Sequence, residues 1–95
     1  MAYFGLGDCE RLLSQPDPAV EFYLKALSYD PQDAQIHYGL GLALYRKAEI
    51  TQSAATLPEA RKHFQAMLTI NPDLVQAEKA RKYLAMIDAT LQGTQ

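Results

Sequence analysis

An all-α fold is what this sequence predicts, and three kinds of observation carry it: a repeat, helix punctuation, and the lack of any strand pattern. Tyr3, Leu6 and Gly7 recur as His37, Leu40 and Gly41 at a spacing of 34. Ala19, Tyr23 and Pro31 recur as Ala60, Phe64 and Pro72 at a spacing of 41. Self-similarity at such a period is the mark of a chain built from stacked supersecondary units. The two spacings agree once seven extra residues are placed inside the second unit, within 45–57. No run alternates apolar and polar residues over a useful length, and β-branched residues are few, so strands are not expected.

The elements follow in order from periodicity and stop signals. Helices are expected near 2–14, 18–29, 34–50, 58–70 and 73–91. Asp17-Pro18 reads as a side-chain cap followed by the residue best tolerated in a first turn. Pro58 repeats that device. Asp30-Pro31 and Asn71-Pro72 read as stops, because a residue before proline avoids helical geometry. Asp73 with Gln76 three residues later reads as a capping box for the last helix. The third helix, from Ile36 to Tyr45, is apolar almost all round, as expected of a helix packed on several sides. The last differs: Ala77, Ala80, Leu84, Ile87 and Leu91 make one stripe, and Glu78, Lys79, Arg81, Lys82 and Asp88 stand mostly away from it. Such a helix closes the C-terminal end of a solenoid.

Composition narrows the function classes. Ninety-five residues suffice for one domain, and 48% hydrophobic with 21% charged residues is a globular composition. A net charge of −2 lacks the basic surface that nucleic acid requires, so no nucleic-acid partner is expected. The charge is uneven: residues 1–33 hold six acids and two bases, and residues 34–95 hold five acids and seven bases. Cys9 is alone, which rules out an intrachain disulfide and fits a reducing compartment. No apolar run suits a membrane span and no leader pattern opens the chain, so the expected setting is the cytoplasm.

These residues resemble the tetratricopeptide repeat family. In the first unit the resemblance rests on Tyr3, Leu6, Gly7, Ala19, Tyr23, Ala26 and Pro31. In the second it rests on Leu40, Gly41, Ala60, Phe64 and Pro72, with His37 where an aromatic is usual. Glu10 and Leu44 depart from the family's tyrosine, and Met67 from its alanine. The resemblance implies an α-α superhelix: repeat 1 at about 1–33, repeat 2 at about 34–72, and a capping helix at about 73–91. Small Gly7, Gly41, Ala19 and Ala60 would sit where paired helices cross closely. Tyr23 and Phe64 would fill the space between one pair and the next. Two repeats are fewer than the roughly three that such stacks usually need, and the first helix has no cap of its own, so the N-terminal end is expected to be open.

Catalysis is not expected. His37 takes a core slot, and His63, in the Arg61-Lys62-His63 run, reads as a surface residue. Neither has carboxylates at metal-ligand spacing, so no metal or cofactor is expected. Ser14, Ser28 and Ser53 lack a recognisable base partner, and Cys9 between Asp8 and Glu10 is disfavoured as a thiolate. The helical glycines 5, 7, 39 and 41 read as close-packing positions and not as a phosphate loop.

The resemblance implies instead a protein-binding scaffold with a groove lined by the first helix of each pair. By position, the lining is Phe4, Asp8, Arg11 and Leu12, then Gln35, Tyr38, Leu42, Tyr45 and Arg46, then Gln76 and Lys79. The ligand would be a protein or peptide segment, mainly apolar or aromatic. The family's carboxylate clamp is missing, since Phe4, Asp8, Gly39, Gln35, Gln76 and Ala80 occupy its positions. Two alternatives stand beside this. Tyr38, Leu42 and Tyr45 could simply pack the insertion or the closing helix, and the uneven charge could serve an oligomerisation role in which copies stack head to tail.

Overall fold

The computed structural model describes residues 2–93, and its regular structure among them is entirely helical. Five α-helices run Ala2–Leu12 (α1), Pro16–Tyr29 (α2), Ala34–Thr51 (α3), Leu57–Ile70 (α4) and Ala77–Gln92 (α5), with a short 3₁₀ turn at Ala54–Thr56 before α4. Each helix packs mainly on its neighbours in sequence, as short connections between antiparallel helices require. The chain thus forms two helical hairpins with α5 laid against the second.

Two apolar clusters hold this arrangement. Ala19, Tyr23 and Ala26 of α2 meet Ile36, Leu40 and Ala43 of α3. Leu44 and Ala48 of α3 meet Leu57, Ala60, Phe64 and Met67 of α4 and Ala77, Ala80 and Ile87 of α5. The all-round apolar character of α3 therefore has a direct cause: one side serves each cluster. Tyr23 and Phe64 are fully buried. A Cβ on Gly7 would lie 2.7 Å from the Tyr23 ring, and one on Gly41 would lie 2.8 Å from the Phe64 ring. Gly5 is different: a Cβ there would meet nothing within 4 Å.

The helix starts correct the expected caps. Asp17 does not cap α2, which begins one residue earlier with Pro16 at its first position and no side-chain cap from Gln15. Asp17 instead pairs with Lys47 Nζ at 2.7 Å. Pro58 does stand in the first turn of α4, yet Thr56 before it turns its hydroxyl to the Leu44 carbonyl at 2.8 Å. The Asp73–Gln76 capping box does not form. Asn71 Oδ1 accepts the Asp73 N–H at 3.2 Å, which holds a turn where the helix was expected, and α5 waits until Ala77. Among the described α-helices the side-chain cap belongs to Asp33, which accepts from the N–H groups of Gln35 at 2.9 Å and Ile36 at 3.4 Å.

The extra residues mostly prolong α3 to Thr51. Gln52 then turns in the left-handed region at φ 52°, and the 3₁₀ turn leads the chain back into α4.

His63 corrects a second expectation. It is 7% exposed, not a surface residue, and its Nδ1 lies 2.9 Å from Nδ1 of His37.

Candidate interaction surface

The first helix contributes a fixed polar group beside an aromatic wall. Tyr23 OH donates to Asp8 Oδ1, and Arg11 Nε donates to the same hydroxyl at 3.0 Å. Arg11 Nη2 lies 3.5 Å from Asp8 Oδ1. Burial, and the hydrogen bond to Asp8, push the Tyr23 hydroxyl well above its ordinary pKa, so it stays a donor. Phe4 packs beside this group with its ring 6.1 Å from that of Tyr23. Leu12, one helical turn beyond Asp8, is 74% exposed.

From α3, Tyr38 meets the Phe64 ring edge-on at 6.0 Å, and burial raises its hydroxyl pKa. Leu42 lies one turn further along and is half-buried. Gln35 accepts a hydrogen bond from Gln76 Nε2 at 3.1 Å, which ties the start of α3 to the turn before α5. Gln76 Oε1 is buried and is left without a partner among the described residues.

Arg11, Tyr38, Leu42, Gln76 and Lys79 are brought to one open cleft of about 500 Å³, which Val75 and Glu78 also line. Three helices supply it, from positions up to 68 residues apart in sequence. Its lining mixes Tyr38, Leu42 and Val75 with polar Gln76 and charged Arg11, Glu78 and Lys79, and Val75 is 94% exposed. Phe4, Asp8 and Gln35 stand behind this lining, held by the contacts just given.

Tyr45 and Arg46 lie elsewhere. Tyr45 meets Tyr83 edge-on at 4.9 Å, while Tyr83 stacks on Phe64 at 5.3 Å with an interplanar angle of 3°. Tyr45 also lines a separate hollow of about 390 Å³ at the end of the second hairpin, with Ala48, Leu57 and Thr90. Arg46 is exposed, 3.4 Å from Glu49 and 3.5 Å from the Ser14 hydroxyl. Val75 and Glu78 were not foreseen as lining residues. Both follow from the late start of α5, which leaves Val75 in a turn and faces Glu78 toward the cleft.

The Pro31 carbonyl can only accept, so His37 Nε2, 2.9 Å away, carries a proton. With that proton on Nε2, an Nδ1 of His37 that accepts from His63 Nδ1 satisfies both rings across 2.9 Å. No group of three or more His, Cys, Asp or Glu side chains that could hold a metal ion occurs among the described residues.

A family model described as a TPR repeat matches residues 7–47, from the middle of α1 through most of α3. This segment is similar to a tetratricopeptide repeat. The matched stretch includes Pro31 and Gly41, together with Gly7, Ala19, Tyr23, Ala26 and Leu40, whose packing joins α1, α2 and α3. Tetratricopeptide repeats are in general protein–protein interaction modules and are typically non-catalytic. Comparisons with curated proteins and with solved structures return no match. None of the described helices is long and apolar enough to cross a membrane.

Proposed function

We propose that the chain is a scaffold that holds a peptide or helical segment of a partner protein in the cleft between α1, α3 and α5. The convergence of Arg11, Tyr38, Leu42, Gln76 and Lys79 on one concave site supports this reading. Leu42 and Val75 offer apolar contact, and Tyr38 offers a rigid aromatic side with a protonated hydroxyl. Aromatic and arginine side chains are the types that dominate interface energies. Arg11 is already engaged by Asp8 and Tyr23, so Lys79 is the cation with more freedom to meet a ligand. The ligand segment that fits is therefore apolar or aromatic at its centre, with at most one acidic neighbour.

A peptide-library selection against the folded protein tests this. Selected sequences should share an apolar or aromatic anchor. Their affinity should fall at least about tenfold in a Leu42→Ala/Lys79→Ala variant with unchanged helicity. Peptides that bind that variant as well as the parent would move the interface away from the cleft. Selection of acidic tails with no apolar anchor would contradict the ligand class.

A further inference from the structure

A second surface stands apart from the cleft, on the opposite side of α1. Gly5, Leu6 and Cys9 share the side of the helix that faces away from buried Gly7, Leu13 continues the strip just past its end, and no charged residue interrupts them. Leu6 is 41% and Leu13 is 68% exposed. Leu6 and Cys9 stand 34 residues before Leu40 and Ala43, which are 1% and 0% exposed where α3 docks on α2. The first helix thus repeats, with no neighbour, the face that its counterpart buries. Isolated exposed leucines are ordinary, whereas a continuous strip of this kind marks a contact surface.

The far end of the molecule carries a matching strip. Lys82, Ala85, Met86 and Ala89 share the side of α5 that faces away from buried Ala80 and Ile87, and all four are exposed. A shallow hollow of about 160 Å³ opens there beside Tyr83 and Met86. The margins of the two strips carry opposite charge. Glu10, and Asp8 with its Arg11 partner, flank the strip on α1; Lys79, Arg81 and Lys82 outnumber Glu78 at the one on α5. The same asymmetry holds for the whole chain, with a surplus of four acids in residues 1–33 and of two bases in residues 34–95.

We propose that a second copy of this chain covers the α1 strip, with α1 of one copy lying on the outward face of α5 of the next. The leucines of α1 meet Met86 and the hollow beside it, and the acidic margin meets the basic one. A contact between two different surfaces leaves one of each kind free, so copies add head to tail into an open row. The charged margins make the association weaken as salt is raised. Arg11, Tyr38, Leu42 and Gln76 of the cleft are not part of this contact, whereas Lys79 borders both surfaces.

Sedimentation of the reduced protein over a range of concentrations tests the proposal. The parent should gain mass with concentration at low salt. Leu13→Glu and Met86→Glu, both at exposed positions, should each remain monomeric at the same concentrations while keeping their helicity. An equal mixture of the two should form a one-to-one dimer and nothing larger, because each variant retains the end that the other has lost. Lys82→Glu serves as a second variant of the α5 end and should behave as Met86→Glu does. A parent that stays monomeric throughout would overturn the proposal, since another occupant would then be needed for the strip. Assembly of Met86→Glu and Lys82→Glu at the parent's strength would overturn it as well, by pointing to α1 packing on α1.

Discussion

His37 and His63 share one proton across 2.9 Å in the interior of the second hairpin, with His37 anchored at its other nitrogen by the Pro31 carbonyl. Burial first, and then the neighbouring His37, lower the His63 pKa from 6.5 to about 4. Lys62 adds to that effect and Glu59 opposes it. The neutral ring is therefore favoured in the folded state. The unfolded chain takes up its proton near pH 6.5, the folded chain only near pH 4, so stability falls as pH drops between those values. The loss should be on the order of 3 kcal/mol once pH 4 is passed. Urea titrations from pH 7.5 to 4 should show this fall. In His63→Leu the slope over that window should shrink, while stability at pH 7.5 drops by about 1–2 kcal/mol because His37 Nδ1 loses its partner.

Gly39 and Gly5 should respond to alanine in opposite directions. A Cβ on Gly39 would lie 2.6 Å from the Tyr23 ring, which is fully buried and held at its hydroxyl by Asp8 and Arg11. The ring cannot yield, so Gly39→Ala should cost about 1–3 kcal/mol. Gly5 has open space beside it, and Gly5→Ala should raise stability by up to about 1 kcal/mol through helix propensity. Thermal unfolding of the two variants decides the matter; equal effects would contradict it.

Asp33 and Asp73 precede helices in similar sequence settings, yet only Asp33 caps one. Asp33→Ala should cost about 1 kcal/mol, the ordinary worth of a side-chain cap. Asp73→Ala should stay within about 0.5 kcal/mol of the parent, because its side chain caps nothing and α5 starts four residues later. A comparable loss at Asp73 would place the start of α5 earlier.

Tyr23→Phe isolates the hydroxyl from the ring. The ring still fills the space between Gly7 and Gly39, while the bonds to Asp8 and Arg11 are lost. The cost should be about 1 kcal/mol by denaturant titration, well under that of deleting the ring. Because the same group positions Arg11 at the cleft, a peptide selected by the parent should also bind this variant more weakly.

Most of the architecture was legible because it depends on residue size at fixed spacing. Gly7, Tyr23, Gly41 and Phe64 announce a small residue facing a ring, and the structure puts each glycine against its ring. The helix starts were less legible, since several polar residues near a start compete for the same backbone donors. Asn71 wins at the last helix, and nothing in Asp73-x-x-Gln76 reveals that. The burial of His63 could have been read. Ala60, His63, Phe64 and Met67 fall on one side of a helix at offsets of three, four and seven, but the adjacent Arg61-Lys62 pair suggested an exposed side. The cleft was partly legible by position within the repeat. Its wall at Val75 depends on where α5 begins, and Tyr45 is diverted to Tyr83 by an edge-on ring contact that no spacing encodes.

The placement of Tyr23 also sets an order of events during synthesis. Its ring is gripped by Gly7 from its own hairpin and by Gly39 from the next. As the chain leaves the ribosome, α1 and α2 can meet early, but the ring keeps one side wet until the middle of α3 has emerged. The first hairpin is thus a waiting partner, and its completion is timed by the arrival of a glycine sixteen residues downstream of the tyrosine. Translation speed through α3 is then a control on how long a half-finished core stays exposed to other chains.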